Sequence, residues 1–290
     1  ITTTIEHPCV LDACRHLEKE GVEVTYVRVG SDGVVSPDDV RAALRPHTVL
    51  ISVMYANNEL GALQPVREIA AIAREAGVVM HSDGVQATGK IPVDVRELGV
   101  DLYSMSGHKI YGPKGTGALY ARRGTKLAAI LHGGHHERDR RPGTENVPGF
   151  VGLGAAAELA ARDLATEMPR LAALRDRLEQ ALLERIPFTA VNGSRTRRVR
   201  NTTNMRFEHI EGESLAIALD LKGMAVSSGA ACSSGSVEPS HVLTAIGLDA
   251  DRARASIRFS LGKQNTAEQI GALVEAVAES VERLRKLSPA

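Results

Sequence analysis

The chain has 290 residues, 43% of them hydrophobic and 24% charged, an ordinary balance for a globular protein long enough to bury a large core. Its 35 basic and 35 acidic side chains cancel, so no net field draws it to nucleic acid or to a charged membrane surface. Aromatics make up 3% with no Trp, which leaves little to stack on single-stranded bases, and three cysteines are too few for a disulfide framework. No apolar run reaches bilayer-spanning length, and Ile1 to Glu6 lacks the basic-then-apolar pattern of a signal peptide. A reducing, cytoplasmic setting is expected.

The first part alternates strand and helix patterns. Residues 9–20 read as a helix ending near Gly21, and the alternating, β-branched 22–29 as a strand. Ser36, Pro37 and two acids open a helix over 36–45. The apolar run 48–54 is a buried-strand pattern, followed by a helix over 65–77. Strands are expected at 78–83, 100–106 and 117–123. Strands separated by helices predict a mostly parallel sheet covered on both faces. Residues 132–146 read as a polar loop, and 150–186 as a long helix perturbed at Pro169. The last third is α+β, with strands at 202–209 and 255–262 and helices at 212–223, 240–248 and 266–286. Two domains are expected, 1–150 and 151–290, divided at the long helix.

Ligands of open parallel sheets bind beyond the carboxyl ends of the strands. Here three predicted strands run into polar groups: Asn58 after the first, Asp83 and Gln86 after the second, and Ser106, His108 and Lys109 after the third. That set suits pyridoxal 5'-phosphate (PLP). Its aldehyde needs a lysine for a Schiff base, and its ring nitrogen needs a carboxylate to keep the ring an electron sink. Lys109 and Asp83 fit those needs. Asn58 and Gln86 suit the phenolic oxygen, and Ser106 and His108 suit the phosphate. A lone Ser-x-His-Lys is usually a solvated turn, and an Asp after a strand is often a helix cap. The weight lies in the conjunction at successive strand ends.

Three other patterns are weaker. The G-x-G-x-x-A match at 152–157 follows no strand and sits in an alanine-rich helical stretch, which argues against a dinucleotide site. GPKGTG (112–117) lacks the ending of a phosphate loop and reads as a turn into a strand. His132, His135 and His136 lack a supporting cysteine or carboxylate pattern, so no metal is expected.

Cys232 lies among serines, glycines and alanines in 225–241, where nothing packs it as a core residue. It reads either as an ordinary loop cysteine or as a nucleophile on a mobile loop, and a nucleophile needs a cation or base to raise its thiolate fraction. Arg258, on the predicted strand 255–262, reads either as a surface residue or as a bidentate ligand for a substrate carboxylate.

Taken together, IEHPCVL (5–11), NNELG (57–61), Asp83-x-x-Gln86, SGHKIYGPKGTGALY (106–120), RPGTEN (141–146), SSGAACSSGSVEPSHVL (227–243) and SIRFSLG (256–262) resemble the PLP-dependent cysteine desulfurases of the NifS/IscS type, within the class V aminotransferases. The resemblance spans the whole sequence. It implies the fold type I architecture of PLP enzymes, an α/β large domain with a mostly parallel sheet and a smaller α+β C-terminal domain, in a homodimer. It implies that Lys109 forms the Schiff base, Asp83 pairs with the ring nitrogen, and His7 stacks on the ring and acts in proton transfer. Asn58 and Gln86 would contact the ring oxygen, and Ser106 and His108 the phosphate, with Thr144 arriving from the opposite subunit. Arg258 would bind the substrate carboxylate, and Cys232 would accept sulfur from L-cysteine and hand it to a sulfur-acceptor or iron–sulfur scaffold protein. A selenocysteine lyase on the same scaffold is the enzymatic alternative, and a non-catalytic fragment the other.

Members of the family are expected to carry an opening segment before IEHPCVL, including a Gly/Thr turn that cradles phosphate at a helix start. Some also have a longer C-terminal tail toward a scaffold partner. The sequence is therefore expected to represent such a protein without its N-terminal segment, with a large domain incomplete at that end. Gly84 stands where alanine is common and His135 where glycine is usual. Neither is expected to abolish activity.

Overall fold

Short apolar strands, several of them followed by a helix, build the first half of the molecule. The computed structural model describes residues 1–228 and 238–287. In chain order it begins with β1 (Thr2–Thr3), α1 (Pro8–Lys19), β2 (Tyr26–Val27), α2 (Pro37–Ala42) and β3 (Leu50–Ser52). It continues with α3 (Val66–Glu75), β4 (Val79–Asp83), α4 (Val95–Leu98), β5 (Leu102–Ser106) and β6 (Gly117–Ala121). The central sheet has the order β3-β4-β5-β6, with β3, β4 and β5 parallel and β6 antiparallel to β5. Helix α3 buries Val66, Ile69, Ala70, Ile72 and Ala73, the face that a 3.6-residue period turns to one side. These side chains join Ile51, Val53, Met80 and Val100 from the sheet in one core.

The strand expected over 22–29 shrinks to two residues, Tyr26–Val27. Its neighbour β1 is equally short, and a strand extends only as far as it finds a partner to pair with. Val22, left without one in the sheet, is 44% exposed.

The second half starts with α5 (Val147–Arg185), a helix of 39 residues. Asn146 caps it, its Oδ1 accepting from the Gly149 N–H at 3.1 Å. The expected perturbation at Pro169 does not divide the helix, although proline removes one internal hydrogen bond. Leu171, Leu174, Leu178 and Leu182, beyond the proline, are all buried in one core, and that packing outweighs the lost bond. The G-x-G-x-x-A segment lies wholly inside α5, in helical conformation.

Then follow β7 (Thr189–Val191), β8 (Thr202–Phe207), α6 (Gly212–Asp220), β9 (Ser227–Ser228), α7 (His241–Ala245), α8 (Ala250–Arg254), β10 (Ser256–Ser260) and α9 (Ala267–Leu287). The second sheet has the order β7-β8-β10-β9 and is antiparallel. Phe207 and Phe259 meet edge to face across it, ring centroids 6.4 Å apart, in a core closed by α5, α6 and α9. The helix expected over 240–248 ends at Ala245. Gly247 turns the chain at φ 91°, and Asp249 starts a new helix by accepting from the Arg252 N–H at 2.8 Å. A smaller core joins the halves, with Val242, Leu243, Ile246 and Ala253 packed on Ile5, Met54 and Leu60. No helix among the described residues is long and apolar enough to cross a membrane.

Candidate active site

The carboxyl ends of β3, β4 and β5 lie side by side, so whatever follows each strand arrives at the same edge of the sheet. After β3 the chain turns at Asn57. Its Oδ1 accepts from the N–H groups of Glu59 (2.9 Å) and Leu60 (2.8 Å), and its Nδ2 donates to the Ile5 carbonyl at 2.9 Å. This turn holds Asn58, whose Oδ1 is buried with no hydrogen-bond partner. The Asn58 carbonyl accepts from Arg258 Nη1 at 2.8 Å, which brings a residue 200 positions away on β10 to this edge. Arg258 Nε is likewise buried and unpartnered.

Asp83 closes β4, 8% exposed, with Oδ1 accepting from the Val85 N–H at 2.9 Å. The chain then coils through 84–91, where the Thr88 N–H donates to the Gly84 carbonyl at 2.9 Å. That turn brings Gln86 and Lys90 together, Nζ of the lysine donating to Oε1 of the glutamine. Burial, with the charges of Lys109 and Arg258 beside it, lowers the Lys90 ammonium to about 7.

After β5 a single 3-10 turn, Gly107–Ile110, presents Lys109. A side chain at Gly107 would meet Thr116 Oγ1 at 2.6 Å, so glycine permits the turn to sit against the following loop. Lys109 is exposed and lines a cavity with Lys90, Tyr111 and Leu261, walled by Leu164 and Met168 of α5. Ser106 Oγ and His108 Nδ1 are 2.8 Å apart at the rim. His7 is the N-cap of α1, its Nδ1 accepting from the Cys9 N–H at 3.2 Å. A neutral ring so held carries its proton on Nε2.

Of the residues singled out from the sequence, Asn58 and Arg258 are thus in direct contact, and Lys109 and Arg258 both act electrostatically on Lys90. Asp83 ends β4, and Lys109 follows the adjacent parallel strand β5. Thr144 is exposed on the loop before α5, and among the described residues no hydrogen bond joins it to the others. Cys232 lies outside the described residues.

Sequence reasoning passed over three polar groups. Lys90 is one, and an i,i+4 pair with Gln86 was its only local signal. The others are buried carboxyls that brace the edge. Glu6 is fully buried, both oxygens accepting from the Met54 N–H at 3.0 Å and Oε1 also from Thr3 Oγ1 at 2.6 Å. Burial pushes its carboxyl up to about 8, against the pull of those hydrogen bonds. Glu59 accepts from Ser240 Oγ at 2.5 Å, and burial raises it to about 7 in spite of that bond and of Arg258.

The edge therefore gathers three cations, Lys90, Lys109 and Arg258, beside the Asn58 turn, with an amide oxygen and a guanidinium nitrogen of the same cluster buried unpartnered. Such a donor set suits a compact anion carrying further polar atoms. Comparison with known proteins points the same way. Residues 1–273 match the family model described as aminotransferase class-V. A cysteine desulfurase IscS from Methanosarcina thermophila is 52% identical over 289 residues, an alignment covering all of this chain and 71% of that protein. A cysteine desulfurase from Nostoc sp. is 51% identical, again over all of this chain and 72% of its own length. Among solved structures, a NifS-like protein superimposes with a TM-score of 0.91 at 36% identity, covering 98% of this chain and 74% of that one. The chain belongs to the class V aminotransferase family.

Proposed function

We propose that the protein is a PLP-dependent cysteine desulfurase that converts L-cysteine to L-alanine and leaves the sulfur on Cys232 as a persulfide. The observation that carries this reading is the cleft at the sheet edge, where Arg258 is tied to Asn58 and shares its field with Lys109 and Lys90. The residues fit the coenzyme. The buried, unpartnered Arg258 Nε is a donor still free at that end, and the cations favour an anionic ligand. In this reading Lys109 would hold the coenzyme, Asp83 would pair with its ring nitrogen, Asn58 and Gln86 with its phenolic oxygen, and Ser106 and His108 with its phosphate. His7 lies against the ring, and Thr144 reaches a partner subunit's phosphate.

When bound, PLP supplies an aldehyde that exchanges onto the substrate amine and a ring that takes up the electrons of the α-carbon. Arg258 holds the substrate carboxylate. The Lys109 amine would take the α-proton, and the Asp83 carboxylate would hold the proton on the ring nitrogen. The Cys232 thiolate attacks the substrate sulfur, an S–S bond forms and the substrate C–S bond breaks. Its electron pair stays with the three-carbon fragment, which takes up protons and leaves as alanine. L-Cysteine and one thiol thus become alanine and one persulfide, with no outside oxidant.

From the family resemblance we infer the partner set: a second copy of the chain as homodimer, and a sulfur-acceptor protein for iron–sulfur cluster or thio-cofactor assembly, in the cytoplasm. Residues 1–150 form the coenzyme-binding unit and 151–290 the linking helix and small C-terminal unit. The separate cores around Ile51 and around Leu178 support that division. The test is Cys232→Ala. It should bind coenzyme as before and form little alanine from L-cysteine. Unchanged alanine production would move the acceptor role elsewhere.

A further inference from the structure

Gln86 has an amide with two unlike ends, an oxygen that accepts and an NH2 that donates, and only one of them is useful to a phenolate. The choice between the two is set by whatever holds the far end of the amide. In this chain the holder is Lys90, one helical turn later, whose Nζ donates to Gln86 Oε1. An ammonium has donors and no acceptor, so it selects the oxygen and leaves the NH2 free.

We propose that Lys90 is a positioning residue: it fixes the Gln86 amide with its oxygen held by the ammonium and its NH2 available to donate to the coenzyme's phenolic oxygen. The inference rests on the assignment of Gln86 to that oxygen. Two observations beyond the hydrogen bond support it. Lys90 lines a cavity together with Lys109, so its side chain lies beside the lysine assigned to hold the coenzyme. The turn that carries both Gln86 and Lys90 is braced by Ala87 and Thr88 N–H groups on the Gly84 carbonyl (3.0 and 2.9 Å) and by the Lys90 N–H on the Ala87 carbonyl at 3.0 Å. The two side chains are thus presented by one short, internally bonded unit attached to Asp83. Burial beside two other cations weakens the Lys90 ammonium.

The readout is the pH midpoint of the visible band of the protein loaded with PLP. A donor on the phenolic oxygen stabilises the phenolate and so favours loss of the chromophore's proton. Lys90→Met should therefore move the midpoint up by about one pH unit, and Lys90→Arg, which retains a donor, by less. Removing a nearby cation would also raise the midpoint, and a double-mutant cycle separates the two causes. If Lys90 acts through Gln86, Lys90→Met should shift the midpoint little in a Gln86→Ala background. A midpoint unmoved by Lys90→Met, or moved equally in both backgrounds, overturns the proposal. Thermal melts of the coenzyme-free variants verify that each is folded, and Lys90→Arg carries the cycle if Lys90→Met does not fold. Lys109→Ala tests the underlying site separately. Persistence of the visible band in that variant sinks the coenzyme reading, whereas its loss alongside a null cycle sinks only the role of Lys90.

Discussion

Gly84→Ala is expected to destabilise this protein severely for so small a change. The backbone at Gly84 is not left-handed, so conformational strain is not the cause. The cause is Tyr103. A methyl group at Gly84 would stand 1.8 Å from Tyr103 Cζ, 2.1 Å from its Oη and 2.3 Å from Cε1. To reach even the short end of ordinary contact, 3.4 Å, the ring must retreat by about 1.6 Å. Tyr103 is 4% exposed, its hydroxyl 3.2 Å from Thr88 Oγ1 and donating to the Gly84 carbonyl at 3.3 Å. Forced movement forfeits both bonds, at about 1 kcal/mol each, and adds about 1–3 kcal/mol of overpacking. The sum is about 3–5 kcal/mol, read as a lower urea midpoint at unchanged m. Tyr103→Met in the same chain removes the ring, so the double variant should be more stable than Gly84→Ala alone. The alanine expected at this position from family resemblance thus needs a smaller neighbour on β5. A Gly84→Ala variant within about 0.5 kcal/mol of the parent would refute the packing argument.

The contribution of Glu6 and Glu59 to stability should fall as pH rises from about 4.5 to 8. Glu6 and Glu59 have carboxyls raised in the folded state from 4.5 to about 8 and about 7, so folding takes up protons in that window. Their favourable contribution is complete below 4.5 and is lost as pH passes the folded values. Glu6→Gln should flatten the dependence by on the order of 3–4 kcal/mol, measured by urea unfolding at pH 5 and pH 8; an equally steep profile in the variant would be inconsistent with a protonated Glu6. Glu179→Ala should cost about 3–5 kcal/mol, because the buried carboxylate binds Arg198 Nη2 at 2.7 Å and Thr203 Oγ1 at 2.8 Å, and Arg198 would be left without its partner. A loss below about 1 kcal/mol would place that pair among the inconsequential ones. Arg258→Lys should raise KM for L-cysteine about 10- to 100-fold through loss of the planar fork; a rise confined to kcat would argue against carboxylate binding.

What was legible in the sequence was local. Apolar runs ending in polar residues located β3, β4 and β5, and with them the edge at which Asn58, Asp83 and Lys109 gather. Helix-favouring composition places α5 to within a few residues at each end. Two misreadings have physical causes. The strand at 22–29 was overlong because alternation reports which residues suit a sheet, not whether a partner strand exists. The single helix over 240–248 ignored the signal of Gly247 followed by Asp249, a stop and a new cap. The bracing carboxyls were beyond reach for another reason. Glu59 meets Ser240 across 181 positions and Glu6 meets Met54 across 48, and no period in the sequence encodes such pairs.

Those long-range pairs bear on how a thiol could serve the cleft. On one flank of the segment carrying Cys232, Ser227 and Ser228 of β9 pair with Arg258 and Ile257 of β10. On the other, Ser240 is bonded to buried Glu59 and His241 Nε2 lies 3.0 Å from the Glu6 carbonyl. Asn58 connects the two flanks, since it precedes Glu59 in the chain and its carbonyl receives Arg258. Both ends of the segment are therefore anchored to the strands and turns that build the cleft. Cutting one anchor should weaken sulfur transfer more than coenzyme binding, because Ser240 touches neither Asp83 nor the turn of Lys109. Ser240→Ala removes the bond to Glu59 and the cap on α7, whose Val242 and Leu243 N–H groups it accepts at 3.2 and 3.3 Å. Ser240→Asn keeps a cap of comparable strength and loses the particular contact with Glu59. A lower rate of alanine formation in both variants, with the visible band intact, is the expected pattern. A loss in Ser240→Ala that Ser240→Asn fully repairs would assign the effect to helix capping and not to the anchor.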